Sequence, residues 1–302
     1  MNIIGKKYLY FLISLIIIIP GTIALFLYGL NLSIDFTGGS RMTFFLPEKA
    51  NNKNVKIIKS VFEENNIKIA TIELSDKTVS LRTQAIDQNK NNKIIWSLGN
   101  KINGIKQGDF ETIGPSIGSE TTSNAIKAIL VASLLIVLYI TWSFRQVPKP
   151  ASSFRFGVCA VLALIHDVLV IVGIFAIFGR FFDVEIDSLF VTAVLTIIGF
   201  SVHDTIVVFD RVRENLKRMM GSPFEKIVND SILQTLDRSL NTSLTVVLVL
   251  LALLLFGGES IRWFVVALLI GIVSGTYSSI FNAAPLLVVW QEWSEKRKKL
   301  KR

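Results

Sequence analysis

The sequence predicts a polytopic α-helical membrane protein with six transmembrane helices and a folded α+β domain outside the membrane. Two observations lead to this prediction. First, the 302 residues are 51% hydrophobic and 18% charged, whereas soluble proteins average about 25% charged residues. Second, the apolar residues gather in six long runs, and one polar segment, residues 31–122, separates the first run from the second.

The six apolar runs are long enough, or nearly so, to span a hydrocarbon core of roughly 30 Å, which needs about 20 helical residues. They are approximately Tyr8–Leu30, Ala125–Phe144, Phe156–Phe178, Ile186–Phe209, Leu240–Phe256 and Ile261–Trp293. No small-residue cleavage site follows the first run, so we interpret it as an uncleaved anchor rather than a signal peptide. Pro285 in the last run predicts a tilt, a kink or an early exit from the membrane. The predicted boundaries are helix 1 at 1–30, the soluble domain at 31–122, helices 2–6 at 123–293 and a basic cytoplasmic tail at 294–302.

Basic residues predict which side of the membrane each connection faces. They precede the first run, lie between the second and third, follow the fourth and fill the tail: Lys6, Lys7, Arg145, Lys149, Arg155, Arg211, Arg213, Lys217, Arg218, Lys296, Arg297, Lys298, Lys299, Lys301 and Arg302. The connection between the third and fourth runs instead carries Asp183, Glu185 and Asp187 against Arg180. Because Lys and Arg concentrate in cytoplasmic loops, both termini are predicted to be cytoplasmic and residues 31–122 extracytoplasmic.

The polar segment 31–122 is large enough to form a small domain. Its sequence predicts a β-α-β-β-α-β order, at Arg41–Leu46, Val55–Asn65, Lys68–Leu74, Thr78–Thr83, Lys93–Ile102 and Phe110–Gly114. That order is typical of the ferredoxin-like fold, so we expect a ferredoxin-like α+β extracytoplasmic domain between helices 1 and 2. The Asn-rich stretches Asn51–Asn54 and Asp87–Asn92 are expected to be loops.

Composition and motifs argue against several classes of function. The net charge of +9 lies mainly at the ends of the apolar runs, which argues against nucleic-acid binding. His166 and His203 lie in apolar runs without Cys or Glu at metal-ligand spacing, so no metal site is expected. The one cysteine, Cys159, excludes an internal disulfide. The sequence contains no Walker or GxGxxG pattern, so it predicts no nucleotide site. We expect that the protein binds no cofactor and is not a classical enzyme.

Asp204 is the most informative residue of the chain, because it lies inside the fourth apolar run. A charged side chain at the centre of a bilayer costs at least about 2.5–3.5 kcal/mol, and such residues often mark an ion or proton route. The alternative is a helix end near the headgroups, where Asp204 snorkels or caps, since Asp210, Arg211 and Arg213 follow closely.

Seven motifs, in order along nearly the whole chain, resemble the SecF members of the SecD/SecF family of protein-export membrane proteins, which belongs to the resistance-nodulation-division superfamily. They are IDFTGG (Ile34–Gly39), GPSIGSE (Gly114–Glu120), HDVLVIVGIFAIFG (His166–Gly179), GFSVHDTIVVFDRVREN (Gly199–Asn215), TLDRSLNTSLT (Thr235–Thr245), FGGESIRWF (Phe256–Phe264) and GIVSGTYSSIFNAAPLLVVW (Gly271–Trp290). Any one of these motifs is weak evidence, whereas seven in order with one topology are strong evidence.

The resemblance implies a subunit of the Sec translocase in the bacterial cytoplasmic (inner) membrane. Such a subunit pairs with SecD and uses the proton-motive force to promote export of unfolded preproteins through the SecYEG channel, with YajC as a further partner. Two alternatives stay open. One is a small-molecule exporter subunit of the same superfamily, although exporters usually carry about twelve spans and two large loops. The other is a purely structural assembly factor for SecD and the channel.

The resemblance also assigns roles to individual residues. It implies that Asp204 is the proton-coupling carboxylate and that Arg238, near the start of the fifth span, is its partner. A carboxylate in water is ionised at neutral pH, but desolvation favours the neutral form and a nearby cation favours the ionised form. Movement of Arg238 toward and away from Asp204 would therefore drive proton release and uptake. Thr242 and Ser243, about one turn beyond Arg238, either carry the proton path or pack between helices.

Five further residues carry two interpretations each. His166 and Asp167 match a His-Asp pair of the family and either line a proton path or make an interhelical hydrogen bond. His203 stands where many relatives have Asn, and it points about 100° away from Asp204 on a helix, so we favour a polar packing role over proton relay. Gly271 and Gly275 form a GxxxG pattern, which predicts close helix packing against the fourth span or against SecD.

Overall fold

The computed structural model describes residues 2–145, 147–148 and 151–300. Lys149, Lys301 and Arg302, which contributed to the predicted orientation, lie outside the described residues. The chain divides into two compact units. The membrane unit comprises residues 1–31 and 127–302, and the soluble unit comprises residues 32–126.

The helices and strands follow one another as the sequence predicts, with more regular structure than predicted at several ends. The α-helices are α1 (Lys7–Tyr28), α2 (Ile34–Thr37), α3 (Asn52–Glu64), α4 (Gln88–Lys101), α5 (Pro115–Ser143), α6 (Ser153–Phe181), α7 (Ser188–Arg218), α8 (Phe224–Phe256), α9 (Arg262–Ser278) and α10 (Ala284–Leu300). The strands are β1 (Gly39–Phe45), β2 (Ile69–Ser75), β3 (Thr78–Thr83) and β4 (Lys106–Ile113).

Six helical segments in the described part of the chain are long and apolar enough to cross a membrane. They contain α1, α5, α6, α7, α8, and α9 continued into α10, so the predicted polytopic helical architecture is confirmed. α1 packs on α6 with almost no space between them, because a Cβ added to Gly21 would lie 2.8 Å from the Cα of Gly173. α7 packs mainly on α8 and α9, and these helices bury the polar residues described below.

The last span is not a regular helix throughout. A π-helical turn, Ser279–Ala283, joins α9 to α10, and Pro285 is the second residue after it. Proline has no N–H to donate, and its ring clashes with the carbonyl of the residue four positions earlier, which disrupts the regular α-helical ladder. Single π turns of this kind are frequent at functional sites, and this one contributes Ser279 and Asn282 to the bundle interior.

The soluble unit has a four-stranded antiparallel sheet in the order β2-β3-β1-β4. Together with α3 and α4 this is the ferredoxin-like arrangement that the β-α-β-β-α-β order predicts. The core lies between the sheet and the two helices and includes Met42, Phe44, Phe62, Leu81 and Ile94, which are completely or almost completely buried.

The two Asn-rich stretches are not loops, and this part of the prediction was wrong. Asn51 caps α3, because its Oδ1 accepts a hydrogen bond from the N–H of Asn54 at 2.9 Å. Asp87 caps α4 in the same way, accepting from the N–H of Lys90 at 2.7 Å. Asn and Asp are strongly preferred at N-caps because their side chains satisfy a free N–H of the first turn. These residues therefore begin helices instead of interrupting them.

Candidate functional site

Asp204 lies inside the membrane unit and is 2% exposed. α7 carries it toward α9, where the hydroxyl of Thr276 donates a hydrogen bond to Oδ2 of Asp204 at 3.1 Å. The Thr276 oxygen lies 2.5 Å from the hydroxyl oxygen of Ser243 on α8. Since α7 continues to Arg218, about four turns further on, Asp204 does not cap a helix end. Its carboxyl group is enclosed by side chains from three helices.

A second carboxylate, Asp167 on α6, is completely buried nearby. Its Oδ1 contacts Nδ1 of His166 at 3.0 Å and accepts from Ser274 at 3.3 Å. Its Oδ2 accepts from Ser278 at 2.7 Å and from Ser201. Four side chains from α6, α7 and α9 thus satisfy this carboxylate, as a buried charge requires.

The imidazole of His166 extends this hydrogen-bonded cluster to α1. Its Nε2 lies 3.0 Å from the hydroxyl oxygen of Ser14. That oxygen also accepts from the Asn282 amide at 2.7 Å. If Nδ1 of a neutral His166 donates to Asp167, Nε2 must accept from Ser14. The His166–Asp167 pair therefore joins α1, α6, α7, α9 and the π turn.

Arg238, the predicted partner of Asp204, has an exposed side chain on α8. No ion pair joins it to Asp204 among the residues that the structure describes. Thr242 is exposed as well, and its hydroxyl donates to the backbone carbonyl of Arg238 at 2.9 Å. Ser243 points the other way and is buried. The structure thus separates the two hydroxyl candidates, placing Ser243 near Asp204 and Thr242 on the outer face of α8.

His203 is exposed on α7, on a different face from Asp204. It does not join the buried cluster around Asp204. Gly271 and Gly275 lie where α9 meets α7, because a Cβ on Gly271 would lie 2.1 Å from Cδ1 of Ile197, and one on Gly275 would lie 3.0 Å from Cβ of Ser201. Of the two predicted contacts for the GxxxG pattern, the fourth span is the one observed within this chain.

Sequence reasoning did not assign a site role to Thr276, Ser201 or Asn282. Each is buried and contacts a predicted residue or its direct partner. A signal was present in the sequence, because the stretch Ser274–Asn282 is unusually rich in hydroxyl and amide side chains for the middle of an apolar run. Only the packing of the helices shows that Thr276 contacts Asp204, that Ser274 and Ser278 contact Asp167, and that Asn282 contacts Ser14 instead.

Among the described residues, six helices long and apolar enough to cross a membrane and two buried carboxylates, Asp167 and Asp204, define a polytopic integral membrane protein with candidate functional groups inside its helix bundle. The comparison with known proteins identifies the family. Residues 95–293 match the protein export membrane protein SecD/SecF C-terminal family, and residues 23–44 match the SecD/SecF GG motif. The chain belongs to the SecD/SecF family of protein-export membrane proteins.

Curated relatives match the chain over nearly its whole length. The protein translocase subunit SecF of Thermobaculum terrenum is 50% identical, with 96% of this chain and 94% of that protein covered. The protein translocase subunit SecF of Anaerolinea thermophila is 44% identical, with 97% and 96% covered. These relatives identify a SecF-like subunit of the Sec translocase and do not favour the small-molecule exporter.

The fold also matches a solved structure of a fused protein. The crystal structure of SecDF, a translocon-associated membrane protein from Thermus thermophilus, matches with a TM-score of 0.81 and 32% identity. The match covers 97% of this chain and 39% of that chain. The Bacillus subtilis protein translocase subunit SecDF is similarly matched over 38% of its length, at 34% identity. The chain therefore corresponds to less than half of each fused SecDF protein. Because these proteins join a SecF part to a SecD part, the match indicates SecD as the partner of this chain.

Proposed function

We propose that this chain works with SecD to couple the proton-motive force to export of unfolded preproteins through the SecYEG channel, with YajC as an additional partner. In this proposal the chain lies in the bacterial inner membrane with both termini in the cytoplasm and residues 31–122 on the far side. The observation that carries the proposal is the burial of Asp204, a protonatable group hydrogen-bonded to hydroxyls inside the helix bundle.

Asp204 is the proposed proton-binding group, and Arg238 is its proposed partner in another conformation. Protonation can drive a conformational change only if it favours one conformation over another. In the conformation described here Arg238 faces outward, so its guanidinium does not pair with Asp204. A shift or rotation of α8 that brings Arg238 inward would favour the ionised carboxylate. The alternation of these two arrangements is the proposed coupling step.

The His166–Asp167 pair supports Asp204 without replacing it. Asp167 holds Ser201 of α7 and Ser278 of α9 in place, and these are the two helices that carry Asp204 and Thr276. We assign the pair to helix positioning around the proton site. Gly271 and Gly275 serve the same purpose by letting α9 approach α7 closely.

The outer faces of α7 and α8 carry exposed polar side chains, which supports the proposal that SecD covers these faces. His203 on α7 and Arg238, Asn241 and Thr245 on α8 are all exposed in this single chain, although both helices are long and apolar enough to cross a membrane. Lipid tails offer such groups no hydrogen bonds. We propose that the membrane helices of SecD cover this face, which gives His203 a polar packing role there.

The test is the Asp204→Asn variant, which is nearly isosteric and cannot carry a carboxyl proton. Preprotein export is measured in inner-membrane vesicles with and without a proton gradient, at matched levels of SecD and of this chain. We expect the gradient-dependent part of export to be lost while assembly with SecD persists. Asp210→Asn, which alters an exposed carboxylate on the same helix, is the control and should behave as wild type. Full gradient-dependent export by Asp204→Asn would reject the proton site and favour a structural assembly factor.

A further inference from the structure

We propose that Thr276 and Ser243 form a two-hydroxyl relay through which Asp204 gains and loses its proton. This inference rests on the proposed role of Asp204 as the proton-binding group. It adds Thr276 on α9 as a proton-carrying group. Of the two hydroxyl candidates on α8, it assigns the function to Ser243 and not to Thr242.

The relay consists of three consecutive contacts. Thr276 Oγ1 lies 3.1 Å from Oδ2 of Asp204, and Ser243 Oγ lies 2.5 Å from Thr276 Oγ1. Ser243 Oγ also lies 2.9 Å from the backbone carbonyl oxygen of Ser239. All of these groups are buried, with Thr276 6% and Ser243 7% exposed. A chain of oxygens at hydrogen-bond distance thus runs from the carboxyl group on α7 through α9 to the backbone of α8.

A count of the available hydrogens shows that the hydroxyls of the relay can donate their hydrogen bonds in either direction along it. Each hydroxyl has one hydrogen to donate and can accept as well. When Asp204 is ionised, Thr276 donates to Asp204 and Ser243 donates to Thr276. When Asp204 is protonated, it donates to Thr276, Thr276 donates to Ser243, and Ser243 donates to the Ser239 carbonyl. Both protonation states are therefore satisfied by the same heavy-atom positions. The Ser239 carbonyl only accepts a hydrogen bond, so the proton itself is exchanged at Ser243 with a water molecule in the cavity that borders Ser243 and Thr276. On uptake a hydronium ion protonates Ser243 and leaves as water, while Ser243 passes its own hydrogen to Thr276 and Thr276 passes its own to Asp204; release is the reverse.

The relay ends at the backbone carbonyl of Ser239, which follows Arg238 in the sequence. Ser239 is 2% exposed, and its own hydroxyl has no hydrogen-bond partner among the described residues. A buried polar atom left unpaired costs free energy, so this hydroxyl is a natural place for the next carrier, such as a water molecule, to bind. The cavity of about 300 Å³ that borders Ser243 and Thr276 is otherwise lined mainly by apolar side chains such as Leu240 and Val273. Hydroxyls are therefore better suited than bulk water to carry the proton here.

The experiment compares variants that keep or remove the Thr276 hydroxyl. Thr276→Val has nearly the same shape without the hydroxyl, whereas Thr276→Ser keeps it. Thr205→Val is the matched control, because Thr205 is also buried and also pairs with a serine of the last span, Ser279 at 2.8 Å, in a contact that lies outside the relay. Gradient-dependent preprotein export is measured across pH, in H₂O and in D₂O, with each variant at wild-type levels in the membrane.

We expect Thr276→Val to lower gradient-dependent export about tenfold or more, since positioned proton-transfer groups typically contribute about 10²–10⁴-fold. Thr276→Ser and Thr205→Val should stay within about twofold of wild type, and Thr276→Ser should keep the wild-type solvent isotope effect. Ser243→Ala should show the same loss of gradient-dependent export as Thr276→Val. If Thr276→Val does not accumulate in the membrane, Ser243→Ala is the variant that tests the relay.

Two outcomes would overturn the relay. One is export by Thr276→Val and Ser243→Ala equal to that of Thr205→Val. The other is equal loss in Thr276→Val and Thr276→Ser, which would mean that the shape of Thr276 matters and its hydroxyl does not. Asp204→Asn is assayed in parallel to separate this inference from the proposed function. Inactive Asp204→Asn with active Thr276→Val rejects the relay alone, whereas active Asp204→Asn rejects the proton site itself.

Discussion

The two buried carboxylates of the membrane unit are held in different ways. Asp167 contacts four side chains on three helices, and a carboxylate bound so completely is suited to fixing the helices in place. Asp204 is held by Thr276, whose hydroxyl contacts that of Ser243, and Ser243 also interacts with the Asp204 carboxyl group. That arrangement allows the direction of the hydrogen bonds to change without moving a helix. This difference supports the proposal that Asp204 binds the proton and that Asp167 has a structural role.

Substitutions at Arg238 test whether proton coupling requires a guanidinium group at this position or only a positive charge. If its exposed guanidinium only contacts lipid phosphates, Lys should replace it well, because that attraction requires charge alone. If it moves in to bind Asp204, Lys should replace it poorly, because the planar donor fork of Arg is lost. We expect Arg238→Met to lower gradient-dependent export about tenfold or more, since breaking a buried charge pair costs about 3–5 kcal/mol. Arg238→Lys should lie between Met and wild type.

The control for Arg238 is Arg262→Met, which removes an exposed arginine whose contact with Glu259 is a surface ion pair at 3.7 Å. Surface pairs contribute about 0–1 kcal/mol, so this variant should export normally. Wild-type activity of both Arg238→Lys and Arg238→Met would eliminate Arg238 as the partner of Asp204.

The sequence was sufficient to find the carboxylate but not its environment. Asp204 is conspicuous because charge inside an apolar run is costly, and that argument needs only local sequence. Thr276 lies 72 positions further along the chain, and no periodicity connects the two. The exposure of Thr242 and the burial of Ser243 follow from how α8 is rotated, which adjacent polar residues cannot indicate.

At the scale of secondary structure, the span ends were harder to predict than the spans. The apolar runs locate the membrane segments, but α7 and α8 extend well beyond them into polar sequence, to Arg218 and from Phe224. Hydrophobicity marks only the part of a helix that lies in lipid. The Asn-rich helix starts were mistaken for loops because Asn and Asp favour both turns and N-caps, and only the hydrogen bonds distinguish these two uses.

The contact between α7 and α9 gives a prediction at this scale. Gly271→Ala would place a Cβ 2.1 Å from Cδ1 of the buried Ile197, so α9 must move or Ile197 must repack. Overpacking of this kind costs about 1–3 kcal/mol, and we expect a lower thermal unfolding temperature in detergent. Gly199→Ala on α7 is the control, because nothing lies within 4 Å of its added Cβ. Equal unfolding temperatures for the two variants would contradict tight packing at Gly271.

At the scale of the whole molecule, the chain combines two units with different physical requirements. The membrane unit leaves much of its apolar surface exposed, with only 6% of the apolar stretch of α5 buried within the chain, as suits contact with lipid or with SecD. The soluble unit instead encloses a core of its own. The sequence predicted this division because apolar runs and alternating patterns differ plainly. It could not predict the mutual arrangement of the β-strands without the fold-level rule for the β-α-β-β-α-β order.

The soluble unit should therefore fold without the membrane. Residues 32–126, produced alone, are expected to be soluble and to give a mixed α/β circular dichroism spectrum with a cooperative unfolding transition, because their core is complete within the segment. Phe62 is fully buried in that core, so Phe62→Ala should lower the free energy of unfolding by about 3–5 kcal/mol. Trp96 is 73% exposed, and Trp96→Ala should change it by no more than about 0.5 kcal/mol. A disordered spectrum for the unmutated segment would show that its folding depends on contacts with the rest of the chain or with SecD.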